Sequence, residues 1–507
     1  MAEQVKKAEL IFIPLPGMGH LIPAVAMAKR LVERDERICI TILVIDLPLF
    51  LNTLSTHSLE SDAWNESRIS FIHLPQLEKP LDTSSRELVQ QMIRDYRPIV
   101  KQIVKDRVMK LDSGCQLAGF VVDLFCTAMV DVANELDVPY YVFFTSGAAL
   151  LCLLFHFQSL RENQGVHVSE FKDPISELDI PGFRNRVPRK FLPSRIRDKD
   201  GGSTVILDHG KRSREAKGLL INTFMELESH AIHTLSNDDS LPLVYPVGPV
   251  INLKPHRDGG EGDKDSIMAW LDDQPPSSVV FLCFGSMGSF SEEQVREIAH
   301  GLERSGHRFL WSVRRPPTAD EKVGAPREYE NLEKVLPDGF LDRTAGIGIV
   351  IGWAPQVAIL SHPAVGGFVS HCGWNSTLES VWFGVPIAAW PMYAEQQMNA
   401  FHLVKELGLA IEIQMDYRWD NEKKSSNVLV EAEEVEKGLR KVMDMENEVR
   451  SKVKEMSELT RDIWDSPIGL RSQVEFVDKV LLQVSTDAQS RCAGTRGNEV
   501  PVVVQKE

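Results

Sequence analysis

The stretch VGGFVSHCGWNSTLESVWFG (365–384) decides how the second half of the chain folds. VGGFVSH is a continuous apolar run, which is typical of a buried parallel strand. STLESVWFG has helical periodicity and ends at Gly384, with a proline two residues beyond, which is a usual stop signal for a helix. CGWN is then the turn between them, and Asn375 or Ser376 is the predicted N-cap. The stretch predicts one strand–turn–helix unit of an open parallel sheet.

The same alternation of short apolar runs and helical segments extends on both sides of this unit. Such runs, rich in β-branched and aromatic residues, predict buried parallel strands joined by crossover helices, and therefore a doubly wound α/β architecture that occurs twice. The runs are ELIFIPL (9–15), ICITILVI (38–45), ISFIHL (69–74), GFVVDL (119–124), YYVFF (140–144), GLLINTF (218–224), VVFLCFGS (279–286), RFLWSV (308–313), GIGIVIGW (346–353), PIAAW (386–390) and LAIEI (409–413).

The boundary between the two halves lies in an aperiodic stretch of proline, glycine and charge, PLVYPVGPVINLKPHRDGGEGDKD (242–265). A chain of 507 residues is too long for one core, which also favours two domains. We therefore predict an N-terminal domain over residues 1–245, a linker over 246–265 and a C-terminal domain over 266–460. A helix over 461–485 is expected to return to the N-terminal domain, followed by a weakly ordered tail over 486–507.

Composition and charge exclude several classes of protein. The formal net charge of −16 gives no electrostatic footprint for nucleic acid. Seven scattered cysteines without a CxxC pair fit neither a disulfide framework nor a zinc site, and they indicate a reducing compartment. No apolar run approaches the roughly 18 residues of a membrane span. We expect a cytoplasmic monomer without a membrane anchor.

The predicted turn at 371–376 has the chemistry of a phosphate site. A helix start exposes unpaired N–H groups and the positive end of the helix dipole, and both attract a phosphate. His371, Asn375 and Ser376 add side-chain donors there. Glu379 lies one turn further along the same helical face, where a carboxylate can accept from the hydroxyls of a ribose. The alternative is a plain N-cap followed by a solvated glutamate.

Two flanking motifs supply groups that suit a nucleotide sugar. In GWAPQ (352–356), Trp353 can stack on a base and the amide of Gln356 can pair with a pyrimidine edge. In WPMYAEQQ (390–397), Glu395 and Gln396 are of the type that binds sugar hydroxyls. Taken alone, the tryptophan is more often a core residue, and the other two are typical of helix caps.

Together these motifs form the run from Trp353 to Gln396, which resembles the 44-residue signature box of plant secondary-product UDP-dependent glycosyltransferases. The resemblance also covers IFIPLPGMGHLIPAVAMAKRL (11–31), VVDLF (121–125), FFTSG (143–147) and FLCFGSMGSFSEEQ (281–294). It implies a GT-B fold and an inverting, metal-independent transfer of a sugar from a UDP-sugar. The implied acceptor is a small lipophilic molecule, since the chain looks most like the branch that glucosylates flavonoids, other phenolics and terpenoids.

The resemblance also implies a role for each matching position. Uracil would stack on Trp353, with the backbone at Ala354 and Gln356 reading its edge, and Glu379 would hold the ribose. The implied diphosphate ligands are His371, Asn375, Ser376 and Ser286. The implied sugar-lining residues are Trp374, Glu395, Gln396 and Thr145. A glutamine at the last position of the box goes mostly with UDP-glucose in this family, and transfer from another UDP-sugar such as UDP-galactose is the alternative.

The first half carries the candidate for the chemical step. PLPGMGHLIPA (14–24) follows the first strand, but Ile22 replaces the third glycine of a dinucleotide fingerprint. His20 from this turn and Asp123 at the end of GFVVDL both lie on the carboxyl rim of the sheet, where an imidazole can act as a base and a carboxylate can orient it. By resemblance, this is the family's His–Asp pair. Met18, Phe125 and Phe144 are the candidates for the acceptor wall, although such residues belong more often to a core than to a pocket.

Other classes of function have weaker support. A nicotinamide-dependent oxidoreductase would use Asp46 as its ribose ligand, but it lacks the third glycine. A catalytically silent sugar-nucleotide sensor would keep the box but not the base, whereas this chain has both His20 and Asp123. Asp198-Lys199-Asp200 and Asp263-Lys264-Asp265 match a DxD metal string, but they fall in predicted loop and linker segments and are interpreted as solvated charge. We expect no metal and no cofactor besides the UDP-glucose co-substrate.

Overall fold

A computed structural model describes residues 7–45, 67–77, 85–109, 115–166, 176–198, 202–253, 261–317, 326–420, 425–466, 469 and 471–495. The strands in these ranges, in chain order, are β1 (Lys7–Ile13), β2 (Ile38–Val44), β3 (Ile69–His73), β4 (Cys115–Asp123), β5 (Tyr140–Phe144), β6 (Glu177–Leu178), β7 (Val187–Pro188), β8 (Gly218–Ile221), β9 (Leu243–Pro246), β10 (Val279–Cys283), β11 (Arg308–Ser312), β12 (Gly348–Ile351), β13 (Val365–Ser370), β14 (Ile387–Ala389), β15 (Ala410–Glu412), β16 (Trp419–Asp420) and β17 (Ser425–Ser426).

The α-helices follow the same order along the chain. They are α1 (Met18–Arg34), α2 (Ser85–Asp95), α3 (Arg97–Met109), α4 (Val130–Glu135), α5 (Ala148–Gln164), α6 (Ser194–Arg197), α7 (Gly202–Arg214), α8 (Met225–Ser236), α9 (Glu261–Asp272), α10 (Glu292–Ser305), α11 (Phe340–Thr344), α12 (Gln356–Leu360), α13 (Trp374–Phe383), α14 (Gln396–Phe401), α15 (Ala432–Met443), α16 (Glu448–Asp465) and α17 (Arg471–Thr495). Short 3₁₀ segments occur at Leu124–Met129, Arg189–Phe191 and Leu332–Lys334, and a π-helical turn at His402–Leu407.

Within the described residues, two parallel sheets form the centres of two α/β domains, as predicted. The first sheet has seven strands in the order β3-β2-β1-β4-β5-β8-β9, and the second has six in the order β12-β11-β10-β13-β14-β15. Central strands such as β1 and β10 are buried along nearly their whole length, which explains why they appear in the sequence as continuous apolar runs. Each sheet therefore needs helices on both faces, and the alternating helical segments supply them.

The helices and strands differ from the predicted segment bounds at three places. Leu243–Pro246 lies at the start of the aperiodic stretch 242–265, where no strand was predicted. It forms β9, which pairs in parallel with β8 at the edge of the first sheet. At an edge a proline is tolerated, because its missing N–H is not needed by a further strand. The end of the predicted linker forms the start of α9 at Glu261. Helix α17 continues to Thr495, ten residues beyond the predicted end of the last helix.

The chain end lies against the first domain. Phe476 of α17 packs edge-on against Tyr141 and Tyr245, with ring centroids 4.9 and 5.6 Å apart. Gln473 donates to the carbonyl of Val247 at 2.7 Å. The last helix thus covers one face of the first sheet, although it follows the second domain in the chain.

Polar contacts also join the two domains directly. Arg418 of the second domain donates to the carbonyl of Leu192 at 2.8 Å, and Lys190 pairs with Asp416 at 3.0 Å. The carboxylate of Glu406 accepts from the backbone N–H groups of Arg184 and Asn185. These contacts fix how the carboxyl edges of the two sheets face each other.

Candidate active site

Both candidate sites lie where the strand order of a sheet reverses. In the first sheet the chain runs from β1 outwards to β3 and then returns to β4 on the other side of β1; in the second it runs from β10 to β12 and returns to β13. Open parallel sheets bind ligands in the crevice at such a switch point, outside the carboxyl ends of the strands. His20 and Asp123 flank the first crevice, and Ser286 and His371 flank the second.

The structure brings His20 and Asp123 together although 103 positions separate them. The Nδ1 atom of His20 lies 2.8 Å from Oδ2 of Asp123. The other oxygen of Asp123 accepts from the backbone N–H of Phe125 at 2.9 Å, because Asp123 caps the 3₁₀ segment that follows β4. Asp123 is 3% exposed and His20 is 27% exposed, so the carboxylate is fixed behind an imidazole that keeps an open side.

The hydrogen bond to Asp123 determines which nitrogen of His20 carries the proton. A carboxylate accepts, so Nδ1 donates and Nε2 keeps its lone pair for a proton from outside. Thr145 places Oγ1 3.1 Å from the same Nδ1, next to Asp123. Burial lowers the pKa of His20, but the charge and the hydrogen bond of Asp123, with a smaller contribution from Glu395, outweigh it and raise the pKa above its ordinary value. The pair has the arrangement of a general base and its orienting carboxylate.

The predicted acceptor-wall residues lie in different surroundings. Phe125 packs edge-on against His20 with ring centroids 5.8 Å apart, and the half-buried Met18 opens helix α1 two positions before His20. Phe144 is 2% exposed and belongs to the core of the first domain. A place on the acceptor wall does not fit the Phe144 side chain, since β5 is buried along its whole length.

The helix that follows the turn at 371–376 does not have the predicted N-cap residue. Helix α13 begins at Trp374 with Gly373 as its N-cap and without a side-chain cap, so neither Asn375 nor Ser376 has that role. Gly373 and Gly285 hold His371 between two backbone segments, because a Cβ atom at either position would lie 2.5 or 2.6 Å from its Nε2. Burial lowers the pKa of His371 to about 4, so the imidazole is neutral at physiological pH. Its Nδ1 atom has no hydrogen-bond partner among the described residues.

Asn375 and Ser376, the predicted N-cap residues, form hydrogen bonds outside the first turn of α13. Asn375 donates through Nδ2 to the carbonyl of Gly19 at 2.9 Å, which joins the donor helix to the turn that carries His20. The amide of Gln356 donates to Ser376 at 2.9 Å and to Glu379 at 2.7 Å. Burial raises the pKa of Glu379 to about 7, against the opposing effect of the Gln356 hydrogen bond. A half-buried carboxylate with one amide partner can still accept from a ligand.

Sequence reasoning missed two residues at the outer end of this site. Glu328 accepts from the backbone N–H of Trp353 at 2.9 Å, and the guanidinium of Arg314 lies 5.5 Å from the Trp353 ring centroid. Arg314 also donates to the carbonyl of Ser286 at 2.9 Å. Arg314 follows the end of β11, so the rule that ligands bind at carboxyl ends of strands could have found it. Glu328 lies in a polar loop, where no local pattern marks it.

The predicted sugar-lining residues are spread over both domains. The Trp374 side chain is 4% exposed, and its Nε1 donates to the carbonyl of Asn222 in the first domain at 2.7 Å. The indole therefore lies between the domains, and only its backbone is left for the sugar. Gln396 uses its Oε1 to accept from the N–H groups of Met392 and Tyr393, at 2.9 and 3.0 Å. Glu395 lies close enough to His20 to raise its pKa.

Some predicted features lie outside the described residues. These are Asp46, Lys199, Asp200 and the side chain of Asp263. Within the described part of the chain, no group of three or more His, Cys, Asp or Glu side chains could hold a metal ion. No helix in that part combines the length and apolar character needed to cross a membrane.

Known proteins that are similar to nearly the whole chain belong to the family that the signature box resembles. A family model described as UDP-glucoronosyl and UDP-glucosyl transferase matches residues 262–461. UDP-glucose flavonoid 3-O-glucosyltransferase 6 of Fragaria ananassa is 52% identical over 484 residues, which cover 94% of this chain and 99% of that protein. UDP-glycosyltransferase 71A15 of Malus domestica is 50% identical, with coverage of 94% and 100%.

Two solved structures are similar to this chain both in fold and in sequence. Medicago truncatula UGT71G1 complexed with UDP-glucose superposes with a TM-score of 0.84 at 40% identity, covering 95% of this chain and all of that one. A transferase from Siraitia grosvenorii in complex with UDP gives a TM-score of 0.83 at 47% identity, over 94% of this chain and 100% of the other. The predicted GT-B architecture is thereby confirmed.

Proposed function

Because the chain belongs to the family of UDP-dependent glycosyltransferases, we propose that it transfers glucose from UDP-glucose to a hydroxyl group of a small lipophilic acceptor. The family and the enzyme class follow from identities near 50% over 94% of the chain. The proposal for the chemical step rests mainly on one observation: the His20–Asp123 pair, at 2.8 Å, lies beside the donor turn, to which the contact between Asn375 and Gly19 connects it.

The choice of donor is supported by the sugar-binding end of the box. Gln396 occupies its last position, which goes mostly with UDP-glucose in related enzymes. One of the similar proteins is named for UDP-glucose, and one of the similar structures is a complex with UDP-glucose. We propose that the diphosphate binds at the start of α13 and that uracil stacks on Trp353. Transfer from UDP-galactose is the alternative within the same mechanism.

In the proposed step, Nε2 of His20 takes the proton of the acceptor hydroxyl as its oxygen attacks the anomeric carbon. The new bond joins that oxygen to the anomeric carbon, while the bond from this carbon to the diphosphate oxygen breaks and its electron pair leaves with UDP. Attack opposite to the leaving group inverts the configuration. The resulting imidazolium is stabilised by Asp123, which keeps its negative charge.

The negative charge that builds up on the departing diphosphate needs donors fixed in advance. The free N–H groups at the start of α13 and its dipole provide them, and removing one such donor commonly raises a barrier by about 2.7 to 4 kcal/mol. Gly373 lets the backbone approach the phosphate closely. We therefore propose a transfer that does not need a metal ion.

The acceptor class is supported by the relatives and by the surroundings of the base. One relative is named for flavonoid 3-O-glucosylation, and an apolar aromatic ring, Phe125, lies against His20. We propose a flavonoid, another phenolic or a terpenoid as acceptor. The described cysteines are free thiols, which is typical of a reducing compartment, and we place the reaction in the cytoplasm.

A mass-spectrometric screen tests this proposal. The purified chain is incubated with UDP-glucose and pooled phenols, flavonoids and terpenoids, and products heavier than an acceptor by one hexose are sought. We expect such adducts with several phenols, and none when His20→Ala replaces the wild type. Adducts from UDP-galactose but not from UDP-glucose would contradict the assigned donor, and the absence of any hexose adduct would contradict the acceptor class.

A further inference from the structure

A basic side chain lies in the middle of the predicted donor site without an assigned role. At the carboxyl edge of the second sheet, the neighbouring strands β12, β11, β10 and β13 lead to Trp353, Arg314, Ser286 and His371 in that order. Trp353 is the proposed uracil platform, and Ser286 and His371 are proposed diphosphate ligands. The order of the strands therefore places Arg314 between the base end and the phosphate end of the nucleotide.

The contacts of Arg314 connect those two ends directly. Its Nη1 atom donates to the carbonyl of Ser286 at 2.9 Å, and Nη2 donates to the carbonyl of Pro326. Its guanidinium carbon lies 5.5 Å from the Trp353 ring centroid, within the range of a cation–π interaction. Arg314 thus fixes the turn after β10 relative to the indole.

The charge of Arg314 is left unbalanced by these contacts. Both hydrogen bonds go to carbonyls, and its buried Nε has no acceptor among the described residues. No carboxylate of that part of the chain forms an ion pair with it; the acidic side chain whose charge reaches it, Glu328, is bonded to the backbone of Trp353. A partly buried cation without a paired anion is costly, and a bound anion would remove that cost.

The ligand proposed for this site supplies such an anion. The diphosphate of a sugar nucleotide carries two negative charges, and the neutral His371 cannot balance them. We propose that Arg314 provides the positive charge with which the donor site holds the diphosphate, acting across the turn that carries Ser286. This inference rests on the proposed function, because it takes a uridine diphosphate sugar as the ligand.

The test separates charge on the phosphates from packing on the base. Dissociation constants for UDP and for uridine are measured by titration calorimetry at low and high salt for the wild type, Arg314→Gln and Arg314→Lys. Arg308→Gln is the matched control, since Arg308 lies at the opposite end of β11 and bonds Gln274 there at 3.0 Å. It removes the same charge from the same strand, but far from the donor turn.

We expect Arg314→Gln to weaken UDP binding on the order of tenfold and uridine binding less than about twofold, because a nearby positive charge attracts the phosphates and not the neutral nucleoside. Arg314→Lys should keep most of the preference for UDP, and Arg308→Gln should bind both ligands like the wild type. Raising the salt concentration should reduce the UDP preference of the wild type more than that of Arg314→Gln.

Equal losses of UDP and uridine affinity in Arg314→Gln would overturn the inference, since they would mean that Arg314 acts only by supporting Trp353. Unchanged UDP binding in that variant would overturn it as well. If Arg314→Gln does not fold, Arg314→Lys provides the test. Loss of the preference for UDP over uridine in this variant, which keeps the positive charge, would also overturn the inference. A wild type that does not bind UDP at all would instead contradict the proposed function, and the inference with it.

Discussion

The two carboxyl rims that face each other differ in how their polar groups are satisfied. On the first rim, Asp123 accepts from Nδ1 of His20, Thr145 lies against the same nitrogen, and Nε2 of the imidazole is left for an outside partner. On the second rim, Nδ1 of His371 and Oδ1 of Asn375 are buried without a partner among the described residues. The His20–Asp123 pair of the first rim is complete without substrate, whereas His371 and Asn375 of the second rim have buried atoms that a nucleotide could satisfy.

The difference indicates a division of work between the domains. A proton-transfer pair needs a fixed geometry and a set tautomer, and these can be built from the chain alone. A ligand site gains most when its buried donors and acceptors are satisfied only in the complex. Substitutions on the first rim should therefore lower turnover, and those on the second should weaken donor binding.

The largest effect is expected for His20→Ala. Without the imidazole the acceptor hydroxyl has no base, so kcat should fall by about 10³-fold or more, near the upper range for general-base catalysis. Calorimetric binding of UDP should stay within about twofold of the wild type, because the donor rim is intact. His233→Ala, at an exposed position of α8, is the control and should be unaffected. If His20→Ala lost UDP affinity by a factor comparable to its loss of kcat, the distinction between the two rims would be contradicted.

Asp123→Asn should lower kcat by about 10²-fold and also change the pH profile. The rate of the wild type should fall with decreasing pH as His20 becomes protonated, with an apparent pKa above 6.5, since Asp123 raises the pKa of His20. Removing the carboxylate charge lowers that pKa, so the acidic limb of the remaining activity should move to lower pH. Values of kcat/KM for both proteins, measured from pH 5 to 9, check this. An acidic limb at the same pH in both would contradict the effect of Asp123 on the pKa of His20.

Glu379→Gln tests the second rim and should raise the dissociation constant of UDP by roughly tenfold, the effect of losing a charged hydrogen-bond acceptor. With a pKa near 7 in the free protein, Glu379 accepts ribose hydroxyls better once it is deprotonated, so wild-type affinity should increase as pH rises through 7. The variant should lack this dependence. Glu433→Gln on the exposed side of α15 should keep it. A pH-independent wild type would contradict ribose binding by this carboxylate.

The smallest functional effect is expected for Trp374→Phe. The substitution removes the hydrogen bond to the carbonyl of Asn222 and should lower the free energy of unfolding by about 1 to 2 kcal/mol, seen as a lower melting temperature. The affinity for UDP-glucose should change by less than about threefold, because the indole lies between the domains. A large loss of affinity with an unchanged melting temperature would place the indole at the sugar instead.

The fold was predictable, and so was the grouping of the box residues around one strand–turn–helix unit, because their signals are local. The elements around the box follow each other within 44 residues, so strand, turn and helix can be assigned from adjacent positions. The cap at Gly373 was mispredicted because Asn375 bonds Gly19 in the other domain, which no local pattern shows. The surroundings of Phe125 and Phe144 were not predictable from the sequence, since both aromatic residues lie at or just beyond the end of an apolar strand segment and only packing separates them.

The return of α17 to the first domain has a consequence for protein engineering. A chimera with a single crossover near Val247 would exchange the donor half, but the second parent would also supply the helix whose Phe476 packs against Tyr141 and Tyr245 of the first parent. Mismatched rings there would destabilise an otherwise compatible hybrid. Recombination with a second crossover between Ser466 and Arg471 keeps each sheet with the helix that evolved to cover it.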